Sequence, residues 1–277
     1  MMTTETMTTT VALTSSVETR SATFRHTLAS EWLKLTTLRS TYVTLGLGVT
    51  LSIAMTALVC LAVGSTQDEL PADLAPATFS LVGNLFALTI SAVFGVMAVA
   101  GEYSSGMIRL TLTATPRRSR VFWAKLAVLS PIMLVFGLIT TLGMFLVGQA
   151  VLGAYGLPVT DLGDPDARRT VLGIGALMPV FPLIGLALGF LLRSTAGAIT
   201  SVLALLWLPV FLVEFFPMWW RTNIFSLFPG AGADSLTLSH VDDSPMYSDP
   251  AIGALIVVAW LAAFISAAYV SFSRRDA

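Results

Sequence analysis

The chemically richest stretch of the chain is GEYSSGMIRLTLTATPRRSRVFWAK, Gly101–Lys125. It carries the cations Arg109, Arg117, Arg118, Arg120 and Lys125 and one acid, Glu102. Such a set can grip a protein surface by charge, or simply mark the side of a membrane on which a loop stays. Ser104, Ser105 and Gly106 predict a turn or helix start. Met107–Leu112 predicts a short helix lying along a membrane, stopped at Thr115-Pro116 because proline cannot continue a hydrogen-bonded helix. The stretch is longer and more mixed than a simple turn requires, so docking of a protein is the favoured reading.

Other chemistries lack their residues. A phosphate-binding loop needs a Gly-rich turn ending in lysine. The two lysines follow Glu-Trp-Leu (Lys34) and Phe-Trp-Ala (Lys125), so neither is a Walker lysine. His26 and His240 are expected on opposite sides of a bilayer and cannot share a metal. No His-Glu-x-x-His, Gly-x-Ser-x-Gly or paired in-membrane carboxylate appears. The single cysteine, Cys60, lies in an apolar run, which leaves no disulfide framework and no thiolate metal site. The chain is therefore expected to be no enzyme and to hold no cofactor.

These residues must be positioned by membrane helices. Hydrophobic residues make up 55% of the chain and charged ones 11%, far from a soluble domain's balance. Six apolar runs (42–63, 78–100, 126–152, 170–192, 195–216 and 251–272) are each near or above the ~20 residues that cross a bilayer. With the N-terminus inside, twelve of the 15 Lys and Arg are cytoplasmic and only Arg168, Arg169 and Arg221 are outside. That bias sets the orientation, with both termini cytoplasmic. Ten acids, among them Asp161, Asp234 and Asp249, populate the outer segments, so a net charge of −1 hides a basic inner and an acidic outer face. Retention of topology accounts for the basic residues, and no nucleic-acid partner is expected.

Residues 1–21 are expected to form a disordered, Thr-rich cytoplasmic leader, and 22–277 one six-helix domain. Ala22–Ser40 reads as an amphipathic surface helix with Phe24, Leu28, Trp32 and Leu35 on one face and Arg25, Glu31 and Lys34 elsewhere. A plain membrane anchor is the favoured account, contact with a partner the sharper one. In the fourth run, Pro179 and Pro182 predict kinks, and Gly185-x-x-x-Gly189 predicts close helix packing, within the chain or in a dimer. Glu214, beside Trp219-Trp220 and Arg221, is either a functional acid at the outer boundary or a snorkelling one. Ile224–Leu238, interrupted at Pro229-Gly230, is too short to span twice and predicts a re-entrant or interfacial helix pair.

Ser30–Tyr42 (SEWLKLTTLRSTY), the Gly101–Lys125 stretch with Glu102, Gly106, Pro116-Arg117-Arg118 and Lys125, and Leu227–Leu236 (LFPGAGADSL) resemble, in that order, the permease subunits of type-2 ATP-binding-cassette transporters. The resemblance covers residue 22 to the end. It implies an all-α fold of six spans with a surface helix, a coupling loop between helices 2 and 3, and an outer re-entrant hairpin over Phe216–Leu238. It implies a second permease chain, identical or related, and a separate cytoplasmic ATPase that binds ATP and Mg. The ATPase would dock through the surface helix (Trp32, Lys34) and through Met107–Thr113, bordered by Glu102, Arg109, Arg117, Arg118 and Arg120, with Glu214 as a possible outer gate. The expected function is export of a hydrophobic or amphipathic substrate, along a path that Phe94, Phe136 or Phe181 could line. The rivals are an ion-coupled secondary transporter, which usually places ionisable groups near the bilayer midplane, and a non-transporting membrane scaffold.

Overall fold

The computed structural model describes residues 23–66, 70, 75–114, 117–238 and 249–274. The expected leader, the Thr115-Pro116 stop and most of the polar stretch Ser239–Pro250 lie outside them. All the regular elements among the described residues are helices. They are α1 Phe24–Thr37, α2 Arg39–Thr66, α3 Pro76–Phe79, α4 Asn84–Ser104, α5 Met107–Ala114 and α6 Arg118–Ala154. There follow α7 Pro165–Leu177, α8 Val180–Leu192, α9 Thr195–Leu212, α10 Met218–Asn223, α11 Pro229–Thr237 and α12 Pro250–Arg274.

Among the described residues six segments are long and apolar enough to cross a membrane: α2, α4, α6, the α7–α8 pair, α9 with its 3-10 extension to Phe215, and α12. They overlap the six runs read from the sequence. The main difference is α6, whose 37 residues make a rod of about 55 Å, well beyond a ~30 Å hydrocarbon core. Its first turns, rich in charge, therefore belong to a layer outside the apolar slab. The fourth span is broken at Met178-Pro179, where the chain leaves α7 and restarts as α8. A proline at the restart removes a backbone donor at the position where the helix can spare it.

The spans alternate in direction, so one end of the bundle collects Arg39, the end of α4, the start of α6, the Arg193 turn and Arg274. We call this the basic end. The opposite, acidic end holds α3, the start of α7 with Asp161, Asp164 and Asp166, and the α10–α11 segment.

The core is a seam between α4 and α8. A methyl at Gly185 would lie 2.6 Å from the Ala92 carbonyl and one at Gly189 3.3 Å from that of Val96, while Gly95 abuts the backbone of Pro182. The Gly-x-x-x-Gly spacing is thus spent on packing inside the chain. Phe94, Phe136 and Phe181, suggested above as path-lining residues, are all buried in core clusters, with Phe94 and Phe136 also bordering cavities.

Candidate functional site

At the basic end, four charged side chains from three helices meet in one cluster. Glu31 and Lys34 come from α1, Glu102 from the last turn of α4 and Lys125 from the second turn of α6. The Lys125 ammonium donates to Glu31 Oε2 and Glu102 Oε1, each at 2.8 Å, and to the Ala98 carbonyl at 3.2 Å. Lys34 donates to Glu31 Oε1 at 2.7 Å, to Glu102 Oε1 at 3.1 Å and to the Thr111 hydroxyl of α5 at 3.4 Å. Both lysines of the protein are consumed here.

Three members of the cluster are buried, and the Lys34 side chain is 29% exposed. Glu31 is 3% exposed, Lys125 4% and Glu102 6%. Moving such charges out of water costs several kcal/mol per ion, so they persist only where opposite charges and hydrogen bonds compensate. Two carboxylates face two ammoniums, and the sum is zero. Burial pushes the Glu31 carboxyl up, but Lys125 and Lys34 together outweigh it and leave the pKa below its ordinary value of 4.5. For Lys34, burial works downward and Glu31 and Glu102 prevail, raising the pKa above 10.5. Glu102 Oε2 is buried and takes no hydrogen bond among the described residues.

This arrangement adds a second function to α1. The sequence reading put Phe24, Leu28, Trp32 and Leu35 on a membrane face with Glu31 and Lys34 elsewhere. Thr27 and Glu31 are the buried residues of α1, with Lys34 following three residues on, while Phe24 and Trp32 stay exposed. Positions 27, 31 and 34 share a helix face as well as the apolar set does. Ionic bonds to α4 and α6 decide which face turns inward, so α1 is fastened to the bundle rather than resting beside it.

The connection from α4 to α5 is a tight turn. Gly106 has φ +71, a left-handed conformation that glycine adopts without the Cβ penalty, and its N–H bonds the Tyr103 carbonyl at 3.2 Å. After the turn, α5 buries Ile108 in the main core and leaves Met107, Arg109 and Leu110 outward, Leu110 at 70% exposure. A leucine that exposed, next to arginine at the charged end, forms a small raised apolar patch.

The remaining candidate residues sit around this unit. The Arg118 guanidinium donates to the Phe272 carbonyl near the end of α12 at 3.3 Å, tying α6 to the last span. Arg117 is exposed and Arg120 half-buried. Glu214 stands apart. Its side chain is 72% exposed and pairs with Arg221 at 3.0 Å, while Arg221 also donates to the Glu214 and Phe216 carbonyls. That arrangement clasps the turn between α9 and α10 and leaves Glu214 remote from the other candidates.

Sequence reasoning missed Glu31 and Lys125 as site residues, although both lay in stretches it had singled out. The usable signal was scarcity: only two lysines, each in such a stretch, one three residues after a glutamate. It also missed Arg193, the one non-glycine residue with positive φ among the described residues (φ 52), whose guanidinium lies 5.5 Å from the centre of the Tyr103 ring. A cation over an aromatic face helps hold a backbone that an L-residue otherwise avoids.

Residues 54–277 match the family model described as ABC-2 family transporter protein. The chain belongs to that family. It is accordingly a multi-pass membrane protein, the permease component of an ATP-binding-cassette transport system. No curated protein matches the chain. The matched range contains Glu102 and Lys125 but not α1, so half of the ion cluster comes from outside it.

Proposed function

We propose that this ABC-2 permease exports a hydrophobic or amphipathic substrate, driven by a separate ATPase that docks on the basic end. The observation that carries the reading is the largely buried Glu31–Lys34–Glu102–Lys125 cluster, which reaches α5 through Thr111. A push on the exposed Met107–Arg109–Leu110 surface reaches α4 through one turn, and reaches α1 and α6 through short ionic bonds. Coupling requires that ATPase closure bias two arrangements of the spans. A charge-compensated junction of three helices is a stiff element for passing that bias on.

The basic end faces the cytoplasm in this reading, because cations concentrate on the inner side of membrane proteins. Both termini are then cytoplasmic, and the acidic end with α10 and α11 is external. The transport unit holds a second permease chain. The cargo path runs along the outside of the subunit where two copies meet, and not through the core around Phe136 and Phe181. A groove of about 480 Å3 along α9, lined by Ser201, Leu205, Leu208 and Pro209 and closed externally by Phe216 and Trp220, supplies an apolar surface of the right kind. Among the described residues the charged groups of the spans lie toward one or the other end of their helices, which favours this reading over an ion-coupled carrier with midplane titratable groups.

The test is co-purification from mild detergent with the cognate ATPase, followed by stimulated ATP hydrolysis. Arg109→Glu with Leu110→Asp should release the ATPase while leaving the permease folded. Retention of a stoichiometric ATPase by that variant would remove the case for α5 as the docking site, and the absence of any ATPase from the native protein would overturn the coupled reading.

A further inference from the structure

Beneath α1 lies a cavity of about 450 Å3, bounded by α1, the start of α2, α4 and α6. Its lining is mixed. Leu38, Phe94, Met97 and Val128 supply an apolar part, the ion cluster a charged part, and Ser40 and Thr41 at the start of α2 two hydroxyls. Glu102 belongs to that charged part with Oε1 doubly occupied by lysine donors and Oε2 without any. A buried carboxylate oxygen left without a donor is costly, and the terminal carboxylate torsion is broad enough for Oε2 to turn to a donor in the cavity.

We propose that this cavity binds an uncharged, hydroxyl-bearing amphiphile, its hydroxyl donating to Glu102 Oε2 and its chain lying along Phe94, Met97 and Val128. Charge balance selects the head group. An ammonium head would be a third cation against two carboxylates, and an anionic head a third anion against two ammoniums, both in a poorly solvated place. A neutral hydroxyl supplies the missing donor and leaves the sum at zero. Water alone could satisfy Oε2 but would wet the apolar wall, whereas an alkyl chain covers it. The volume is within the range of small-molecule sites. The inference stands on the membrane placement of the chain and needs no ATPase, so it can fail while the transport reading survives, and the reverse.

The full chain in phosphatidylcholine nanodiscs would be photolabelled with a diazirine-bearing dodecanol and the adducts mapped. Labels are expected in the peptide containing residues 94–102 and at Val128. Unlabelled dodecanol should compete at least about tenfold better than dodecylamine or dodecanesulfonate, a gap of roughly 1.4 kcal/mol. Gly101 lines the cavity, and a Cβ built there meets nothing within 4 Å, so Gly101→Leu has room for its first carbon and is chosen to occupy part of the space. That variant should lose labelling about tenfold. Glu102→Gln leaves the cluster with one excess positive charge and should move the preference to dodecanesulfonate. Absent labelling, equal competition by all three head groups, or a Gly101→Leu protein labelled like the parent would overturn the proposal. In the ATPase-loaded complex, loss of label on adding ATP identifies the occupant class as cargo, and unchanged label identifies it as resident bilayer lipid; both outcomes support the site.

Discussion

The two ends of the bundle are held by opposite means. At the basic end, α1, α4 and α6 are joined by buried charges, and Arg118 ties α6 to α12. At the acidic end, α11 is laid on α12 by backbone proximity. A methyl at Gly253 would lie 2.7 Å from the Gly232 carbonyl, and rings stack in series from Phe225 through Phe228 and Trp260 to Phe264 at 5.7–5.9 Å. Trp260 donates to the Leu227 carbonyl at 2.7 Å, and Arg169 of α7 donates to the Leu236 carbonyl near the end of α11 at 3.0 Å. Ion clusters are directional and fail as a unit. Close apolar packing loses stability in proportion to what is removed. The basic end therefore has a sharply defined geometry, and the far end a tight but graded one.

Removing one member of the cluster should separate the two ends most clearly. Lys125→Met leaves two buried carboxylates facing a single ammonium and is expected to cost about 3–5 kcal/mol, with α1 released to proteolysis. Replacing Glu31, Lys34, Glu102 and Lys125 together by apolar residues of similar size should restore most of that stability but abolish ATP-coupled transport. A quadruple variant that still transports would break the link between cluster and coupling.

At the other end, Gly253→Ala should cost about 1–3 kcal/mol by forcing α11 off α12. Thermal unfolding in detergent would register the loss, with α1 remaining protected.

Acid and base also distinguish the ends. The lowered Glu31 pKa contributes stability that is present above 4.5 and is lost as pH falls through the depressed value; the raised Lys34 pKa contributes stability present below 10.5 and lost as pH rises through the raised one. Their contribution should be flat across neutral pH. At the acidic end, burial pushes the Asp234 carboxyl from 3.8 up to about 6. Its ionised form is disfavoured in the folded state, so its cost grows as pH rises from 3.8 through 6. Asp234 keeps part of its surface open, which limits the effect. Asp234→Asn should stabilise by about 1 kcal/mol at pH 8 relative to its effect below pH 4. A pH-independent effect would sink this assignment.

The smallest effect is expected at Arg193. Arg193→Gly relieves about 1 kcal/mol of left-handed strain while forfeiting the side chain's contacts, the cation–ring contact with Tyr103 among them, so the two effects oppose each other. Arg193→Ala keeps the strain, loses the contact and should be the worse of the two.

Much of this architecture was legible in the sequence because hydropathy and turn residues are local signals. The six spans overlap the apolar runs, Gly106 sits in the turn it foretold, and Pro179 marks the break in the fourth span. The ion cluster was not legible as a cluster, since Glu31 and Lys125 are 94 positions apart and pairing at that range leaves no period. The fastening of α1 was hidden for a related reason. Four apolar residues at helical spacing suggest a membrane face, and nothing local reveals that Glu31 and Lys34 have partners on other helices. Arg118 gave the same difficulty: it read as one of three loop arginines, yet it bonds a carbonyl 154 positions away.

The glycine seam between α4 and α8 has a kinematic consequence. With main chain touching main chain at Gly95 and Gly185, there is no side-chain layer to slide or re-interlock, so the pair travels as a single plate. Whatever moves α4 at its basic tip must swing α8 through the same angle, and any change of access has to be geared at the plate's borders with its neighbours.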